Sequence, residues 1–317
     1  MNSKGSGRFA PSATGSLHAG SLFTALISYL QARKLGLQWI VRIEDTDLER
    51  CSSEHTESIL TQLQAHGLES DSPVLLQSSQ IPRYLAAAQT LLKTSDAYFC
   101  QCTRASIKRR AQAHKHLESN VHDDHWCRGL GLTSGSIRFK VNQNPPPIDL
   151  LQGSTGEPES GDPVLVRANG IVNYVLSAAV DDGSGEITQI VRGIDLMGLS
   201  STQSQIRAAL NLANDQVHAH LPVLVNAQGQ KLSKQALAPK IDVKLASQNL
   251  IEILSLIDIE LAPDHPRALI DQTLGQFDLN KLMGLRELRL PSDQQTRRLN
   301  RVDDYTQLTI DPRQKNL

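Results

Sequence analysis

Trp39-Ile40-Val41-Arg42-Ile43 is the stretch that most narrows what this chain can become. It is a nearly continuous apolar run of strand length, as expected for a strand in a parallel sheet covered by helices on both faces. The neighbouring pattern agrees. Arg8-Phe9-Ala10 is a short strand candidate, followed by a turn-rich loop from Pro11 to Ser16. Leu22, Phe23, Leu26, Ile27 and Leu30 then recur at helical spacing. A second helix is expected around Ser53 to His66, stopped by Gly67 as a C-terminal cap. Strand, helix, strand, helix in this order is the βαβ signature of a doubly wound α/β fold with a Rossmann-type parallel sheet.

The rhythm breaks after Ser95. Ile137, Phe139 and Val141 alternate with Arg138 and Lys140, which reads as a half-buried strand, and Asn144 to Asp162 is rich in Pro, Gly and Ser, which reads as an exposed loop. This middle part reads as an α+β subdomain inserted into the core. The α/β pattern resumes at Tyr174 to Val180, with a strand at Ile187 to Val191 running into Arg192-Gly193. A helix is expected from about Ser200, where Ser200 and Gln203 have capping-box spacing. Leu221 to Val225 is one further strand candidate, with a turn at Asn226 to Gly229, and from Pro239 the apolar pattern is helical. The expected division is 1–95 and 173–238 for the two halves of the sheet domain, 96–172 for the insertion, and 239–317 for a small helical region.

Composition excludes several classes. A net charge of -1 does not suit a protein that coats nucleic acid. Local contact remains open through one basic stretch, Lys108, Arg109 and Arg110 with His114, Lys115 and His116. No run approaches the ~18 apolar residues of a membrane helix, and Met1 to Gly7 does not resemble a secretory signal. Four cysteines are too few for a disulfide scaffold, and three of them, Cys100, Cys102 and Cys127, cluster near histidines while Cys51 stands apart. That pattern reads as metal binding in a cytoplasmic protein, and a monomer is expected.

Two constellations carry chemistry. Leu17-His18-Ala19-Gly20-Ser21 opens a helix directly after the first strand and loop. Helix N-termini present unpaired N–H groups that favour phosphate, and a glycine there lets the phosphate approach closely. Lys231-Leu232-Ser233-Lys234-Gln235 follows a glycine turn, with two lysines able to hold a leaving pyrophosphate where charge develops. Either motif alone is explained by an ordinary capped helix or a solvated basic loop. Together, in this order, they resemble the two signatures of class I aminoacyl-tRNA synthetases.

Further stretches are similar to the glutamyl branch of that family: Arg8 to Ser12, Arg42-Ile43-Glu44-Asp45-Thr46-Asp47, Val191 to Asp195, and His220-Leu221-Pro222-Val223-Leu224. The resemblance covers roughly residues 7 to 240. It places a glutamate pocket at Arg8, Ala10, Ser12, Glu44, Tyr174 and Arg192. It gives ATP to His18, Gly20, Ser21, Lys231, Ser233 and Lys234, with His18 and Lys234 as the catalytic pair and Mg²⁺ expected on the triphosphate. The residue types agree with a dicarboxylic amino acid: arginine forks suit carboxylates, and Glu44, ending a strand on the ligand-binding side of the sheet, suits an α-ammonium group. Asp181-Asp182 also fits the family pattern, but an acidic turn explains it equally well.

Cys100-Gln101-Cys102, His122 and Cys127 suit structural Zn²⁺. In the truncated glutamyl-Q branch of the family a Tyr usually supplies the fourth ligand, where this chain has Asp123. His122, Asp123 and His125 are all candidates, with His122 favoured. Ser21 in place of the His that usually closes the first signature, the Cys-x-Cys insertion, and a segment after Lys234 too short for an anticodon-binding domain all resemble that branch. The resemblance then implies tRNA-independent activation of glutamate and its transfer to queuosine in the anticodon stem-loop of tRNA(Asp), with Lys108, Arg109 and Arg110 near RNA phosphates. The alternatives are a minimal glutamyl-tRNA synthetase charging the 3′ end of tRNA(Glu), and a non-catalytic RNA-binding paralogue.

Overall fold

The computed structural model describes residues 5–113, 122, 125–156, 161–226, 229–231 and 240–290. The first strand, β1 (Ser6–Phe9), is buried along its whole length. It is followed by α1 (Ala19–Lys34) and β2 (Gln38–Ile43), which contains the apolar run and lies parallel to β1. Then come α2 (Ser53–Ala65), the two-residue β3 (Leu75–Leu76) and α3 (Ile81–Lys93). Next follow β4 (Ala97–Cys100), α4 (Arg104–Ala113), β5 (Ser136–Phe139), β6 (Ile148–Asp149), β7 (Gly153–Ser154) and β8 (Val164–Val166). Then come α5 (Tyr174–Asp182), β9 (Ile187–Gly193), α6 (Gly198–Ala209), β10 (Val217–Leu221) and β11 (Val223–Val225). Last are α7 (Ala246–Ser255), α8 (Pro266–Leu274) and β12 (Glu287–Arg289).

The main sheet has the order β3-β2-β1-β9-β10-β6-β7. All its pairs are parallel except the antiparallel β6–β7 hairpin. The chain reaches β2 and β3 on one side of β1, then returns to place β9 on the other. Doubly wound sheets bind ligands at the carboxyl ends of strands flanking such a reversal. Ten residues of α1 are buried, including Leu22, Phe23, Leu26 and Leu30, because this helix is sandwiched. One side covers the sheet, and Leu250, Ile253, Leu254, Leu269 and Ile270 of α7 and α8 join the same core. A second core joins α3, α5 and Ile206 of α6 to the small antiparallel sheet β4-β5-β8. Among the described residues no helix is long and apolar enough to cross a membrane.

Four sequence expectations need correction. The stretch expected as an exposed loop, 144–162, contains the β6–β7 hairpin, which extends the main sheet beside β10 and buries Asp149. Its Pro and Gly residues bound two-residue strands too short for an alternation pattern to register. The strand expected over Leu221 to Val225 is two strands in different sheets, divided at Pro222, which has no N–H to continue a ladder. The region after Pro239 has the expected helices, but Glu287–Arg289 is a strand parallel to β11. Finally, α6 begins at Gly198, so Ser200 lies inside its first turn rather than capping it, and both Ser200 and Gln203 bond to Arg192 instead.

Candidate active site

The carboxyl ends of β1, β2, β9 and β10 converge on a cluster of buried charges. Arg8 is the third residue of β1, Glu44 follows β2 directly, Arg192 is next to last in β9, and Tyr174 opens α5. Ala10, half-buried, and Ser12, exposed, lie on the loop leaving β1. That loop is pinned to the end of β2, since Glu44 N donates to Pro11 O at 2.9 Å and Ser12 pairs with Glu44 as an isolated parallel bridge. The structure thus brings together all six residues singled out for the amino-acid pocket.

Asp182, the last residue of α5, organises this cluster. Its carboxylate accepts from Arg8 Nε at 3.0 Å, the Arg8 terminal nitrogen at 3.1 Å, and Arg42 at 2.6 Å. Burial alone would push its carboxyl upward, but Arg42 and Arg8 hold it far below the usual carboxylate range. Asp181 accepts from Tyr84 Oη at 2.8 Å and Gln77 Nε2 at 2.7 Å, and lies 3.7 Å from Arg42 Nε. The Asp181-Asp182 pair is therefore not a surface acidic turn. Its position at the end of an otherwise apolar helix was the available signal. Arg42 bridges to Glu44 Oε1 at 3.1 Å. Burial pushes Glu44 up to about 7, against the opposing pull of Arg42 and Arg8.

Arg192 contrasts with Arg8. Among the described residues all its hydrogen-bond acceptors are neutral: Tyr174 Oη at 3.0 Å, Gln203 Oε1 at 2.8 Å, Ser200 Oγ at 2.6 Å, Leu196 O at 3.2 Å and His220 Nε2 at 3.1 Å. A buried guanidinium is thereby held in place without a carboxylate on it. Because Arg192 donates to the Tyr174 oxygen, the phenolic proton is left to be given to an incoming anion. Ser200, Gln203 and His220 acquire their roles only through folding.

The phosphate side is built at the start of α1. His18 occupies the N-cap in extended conformation. Ser21 Oγ accepts from His18 N at 2.8 Å and donates to His18 O at 2.9 Å, so this serine closes the helix start. Gly20 lies in the first turn of α1. Lys231 pairs with Asp195 at 2.7 Å and forms a bridge with Val225, while Lys240 forms a bridge with His18. Ser233 and Lys234 lie outside the described residues. A cleft of about 390 Å³ is lined by Lys231 together with Ile194, Asp195, Met197, Val223 and Val225.

Cys100, Cys102 and Cys127 gather with His122 as a second centre. Cys102 Sγ is 3.3 Å from Cys127 Sγ and 3.3 Å from His122 Nε2, and Cys100 Sγ is 3.6 Å from the same nitrogen. The four ligand atoms lie within 4.8 Å of one another, a spacing and donor set suited to tetrahedral zinc. The other ring nitrogen of His122 lies 3.5 Å from Tyr98 Oη, which donates to Asp162 at 2.7 Å. Outer partners of this kind commonly orient a metal-binding imidazole. His125 turns instead to Asp162 at 3.1 Å, and Asp123 lies outside the described residues. In α4, Arg110 donates to Cys102 Sγ at 3.2 Å and stacks on Trp126, whereas Lys108 and Arg109 are exposed. His114, Lys115 and His116 lie outside the described residues.

A family model described as tRNA synthetases class I (E and Q), catalytic domain, matches residues 6–252. The chain belongs to this family. The synthetase is a ligase, and ATP and Mg²⁺ use follow from its class. It is 39% identical over 286 residues to the glutamyl-Q tRNA(Asp) synthetase of Acinetobacter baylyi, covering 87% of this chain and 93% of that one. It is 41% identical over 255 residues to the protein of the same name from Chromobacterium violaceum, covering 78% and 85%. A crystal structure of a glutamate tRNA ligase from Elizabethkingia meningosepticum, in complex with its amino acid, superposes with a TM-score of 0.75 at 24% identity, over 91% of this chain and 67% of that one. The synthetase shares that fold.

Proposed function

We propose that this synthetase activates glutamate with ATP, without needing tRNA, and transfers the glutamyl group to queuosine in the anticodon loop of tRNA(Asp). The observation that carries the amino-acid part is the pair of unlike environments at the sheet's carboxyl edge. Arg192 is a buried cation without a carboxylate partner among the described residues, and Glu44, its side chain 11% exposed, is a carboxyl at the same sheet edge. A dicarboxylic amino acid satisfies both. Its side-chain carboxylate meets Arg192, Arg8 and the Tyr174 hydroxyl, and its ammonium group meets Glu44, with Ala10 and Ser12 on the adjoining loop.

Activation is attack by an α-carboxylate oxygen on the α-phosphorus of ATP. A new O–P bond forms, the bond to the bridging oxygen breaks, and pyrophosphate leaves. His18, Gly20 and Ser21 meet the phosphates at the head of α1, and Lys231, Ser233 and Lys234 meet them from the loop. These groups act by positioning and by stabilising charge on the leaving group. Mg²⁺ would neutralise triphosphate charge when bound. Cys100, Cys102, His122 and Cys127 would hold a structural Zn²⁺, the donor set for which their spacing is suited.

The acceptor is inferred from the relatives' printed name and from the exposed Lys108 and Arg109, with Arg110 beside them. Labelled glutamate should appear on tRNA(Asp) containing queuosine and not on the same tRNA lacking it. Label on tRNA(Glu) instead would make this a minimal glutamyl-tRNA synthetase. Absence of glutamate-dependent ATP–pyrophosphate exchange would refute the activation chemistry itself.

A further inference from the structure

Asp149 and His220 form a buried pair whose far end touches Arg192. His220 Nδ1 lies 2.5 Å from Asp149 Oδ2, with the histidine fully buried and the aspartate 1% exposed. The carboxylate also accepts from the backbone N–H groups of His220, Leu151 and Gln152, at 3.1, 2.9 and 2.9 Å. With backbone N–H groups already pointing at it from three residues, the carboxylate serves this pair as an acceptor. The ring proton must then sit on Nδ1. Nε2 keeps its lone pair and accepts from Arg192 Nε at 3.1 Å, with Ser200 Oγ at 3.1 Å.

This is the only tautomer in which both ring nitrogens meet a partner of opposite sense. A doubly protonated ring would set N–H against N–H and a second cation against the guanidinium. The charged groups around the ring are Asp149 from β6, Arg192 from β9 and Arg8 from β1, with His218 stacked on it from its own strand. Burial first, and Arg192 with it, keep the imidazole below its ordinary value despite the Asp149 hydrogen bond.

We propose that Asp149 and His220 are positioning residues for Arg192: they fix the plane of the guanidinium that receives the substrate's side-chain carboxylate, while keeping the protein's own carboxylate one imidazole ring away from it. The assignment rests on the glutamate reading above. A carboxylate directly on Arg192 Nε would neutralise the cation and compete with substrate. An imidazole between them transmits the orientation without placing the charge there. Asp149 comes from β6 and His220 from its neighbour β10, so the pair is set by the contact of these two strands in the main sheet.

Glutamine and asparagine at position 220 separate the two ends of the ring. The longer amide of His220→Gln places an acceptor near the Nε2 position, whereas the shorter one of His220→Asn keeps only a partner for Asp149. In ATP–pyrophosphate exchange, His220→Asn should raise KM for glutamate by about ten- to a hundredfold, as expected for losing an acceptor to a charged donor, with KM for ATP unchanged. His220→Gln should recover most of that loss, and Asp149→Asn should cause a smaller rise in the same constant. Equal effects of His220→Asn and His220→Gln, or equal changes in both KM values, would overturn the proposal. A second readout does not depend on glutamate being the substrate. In ¹⁵N-histidine NMR of the wild-type protein, with the signal assigned by its loss in His220→Gln, Nδ1 should carry the proton and the ring should stay neutral through neutral pH. A proton on Nε2, or titration near neutrality, would also overturn it. Wild-type protein that shows the expected tautomer but no glutamate-dependent exchange would sink the glutamate reading and leave the positioning of Arg192 standing.

Discussion

Replacing Glu44 by glutamine should make the ligand-free protein more stable above neutral pH while abolishing its affinity for glutamate. Glu44 lies largely shielded beside Arg42, its side chain 11% exposed, yet its carboxyl is raised from 4.5 to about 7, so desolvation outweighs the ion pair at 3.1 Å. At ~1.4 kcal/mol per tenfold change in proton affinity, ionising this group in the folded protein costs about 3 kcal/mol relative to the unfolded chain. The sign follows from proton counting. Between the unfolded value and about 7 the folded state binds the extra proton, so stability falls as pH rises through that interval and is flat above it. The amide of Glu44→Gln cannot ionise and escapes the cost. The advantage of the variant, read from urea denaturation midpoints, should approach about 3 kcal/mol at pH ~8 and fall below about 1 kcal/mol at pH ~5. Glutamate binding to the wild type runs the other way. An ammonium group favours the ionised carboxylate, so apparent affinity should rise with pH up to about 7 and then level. A variant that is less stable at the higher pH would refute the reasoning, because it would mean that the Arg42 pair outweighs desolvation.

Asp182→Asn leaves Arg8 and Arg42 buried without their shared counter-charge and should destabilise by about 3–5 kcal/mol in denaturant titration. Because the folded value of Asp182 is depressed, its contribution is present above the unfolded value and lost only as pH falls through the folded one, so this deficit should be constant across neutral pH. Removal of zinc by a chelator, or Cys102→Ala, should lower the thermal midpoint, and the purified wild type should carry zinc by elemental emission. Lys108→Glu with Arg109→Glu should reduce glutamate transfer to RNA and flatten its salt dependence while ATP–pyrophosphate exchange is unchanged.

The parts of the site that sequence makes legible are those carried by contiguous motifs. Arg8, Glu44 and Arg192 each lie at or just past the carboxyl end of a strand that its own apolar pattern announces, and His18 and Gly20 open a helix that Leu22 to Leu30 announce. Residues that act on other residues are harder to read. Asp149 and His220 lie 71 positions apart and meet only because a two-residue strand joins the sheet, which leaves no periodic trace. Ser200 and Gln203 carry a local capping pattern, yet the buried charge of Arg192 outcompetes that local use of their side chains. Arg110 reads as one of three equivalent basic residues, while folding assigns it to Cys102 and Trp126.

The order of strands has a consequence for synthesis. β1 leaves the ribosome before both of its neighbours, β2 and β9, and β9 ends at Gly193. Until then a nascent chain can form the β1–β2–β3 half only with one edge of β1 bare, and unpaired edges recruit other chains. Slow translation across the insertion would lengthen that interval. Truncations ending shortly before β9 should therefore aggregate more readily than those ending after β10.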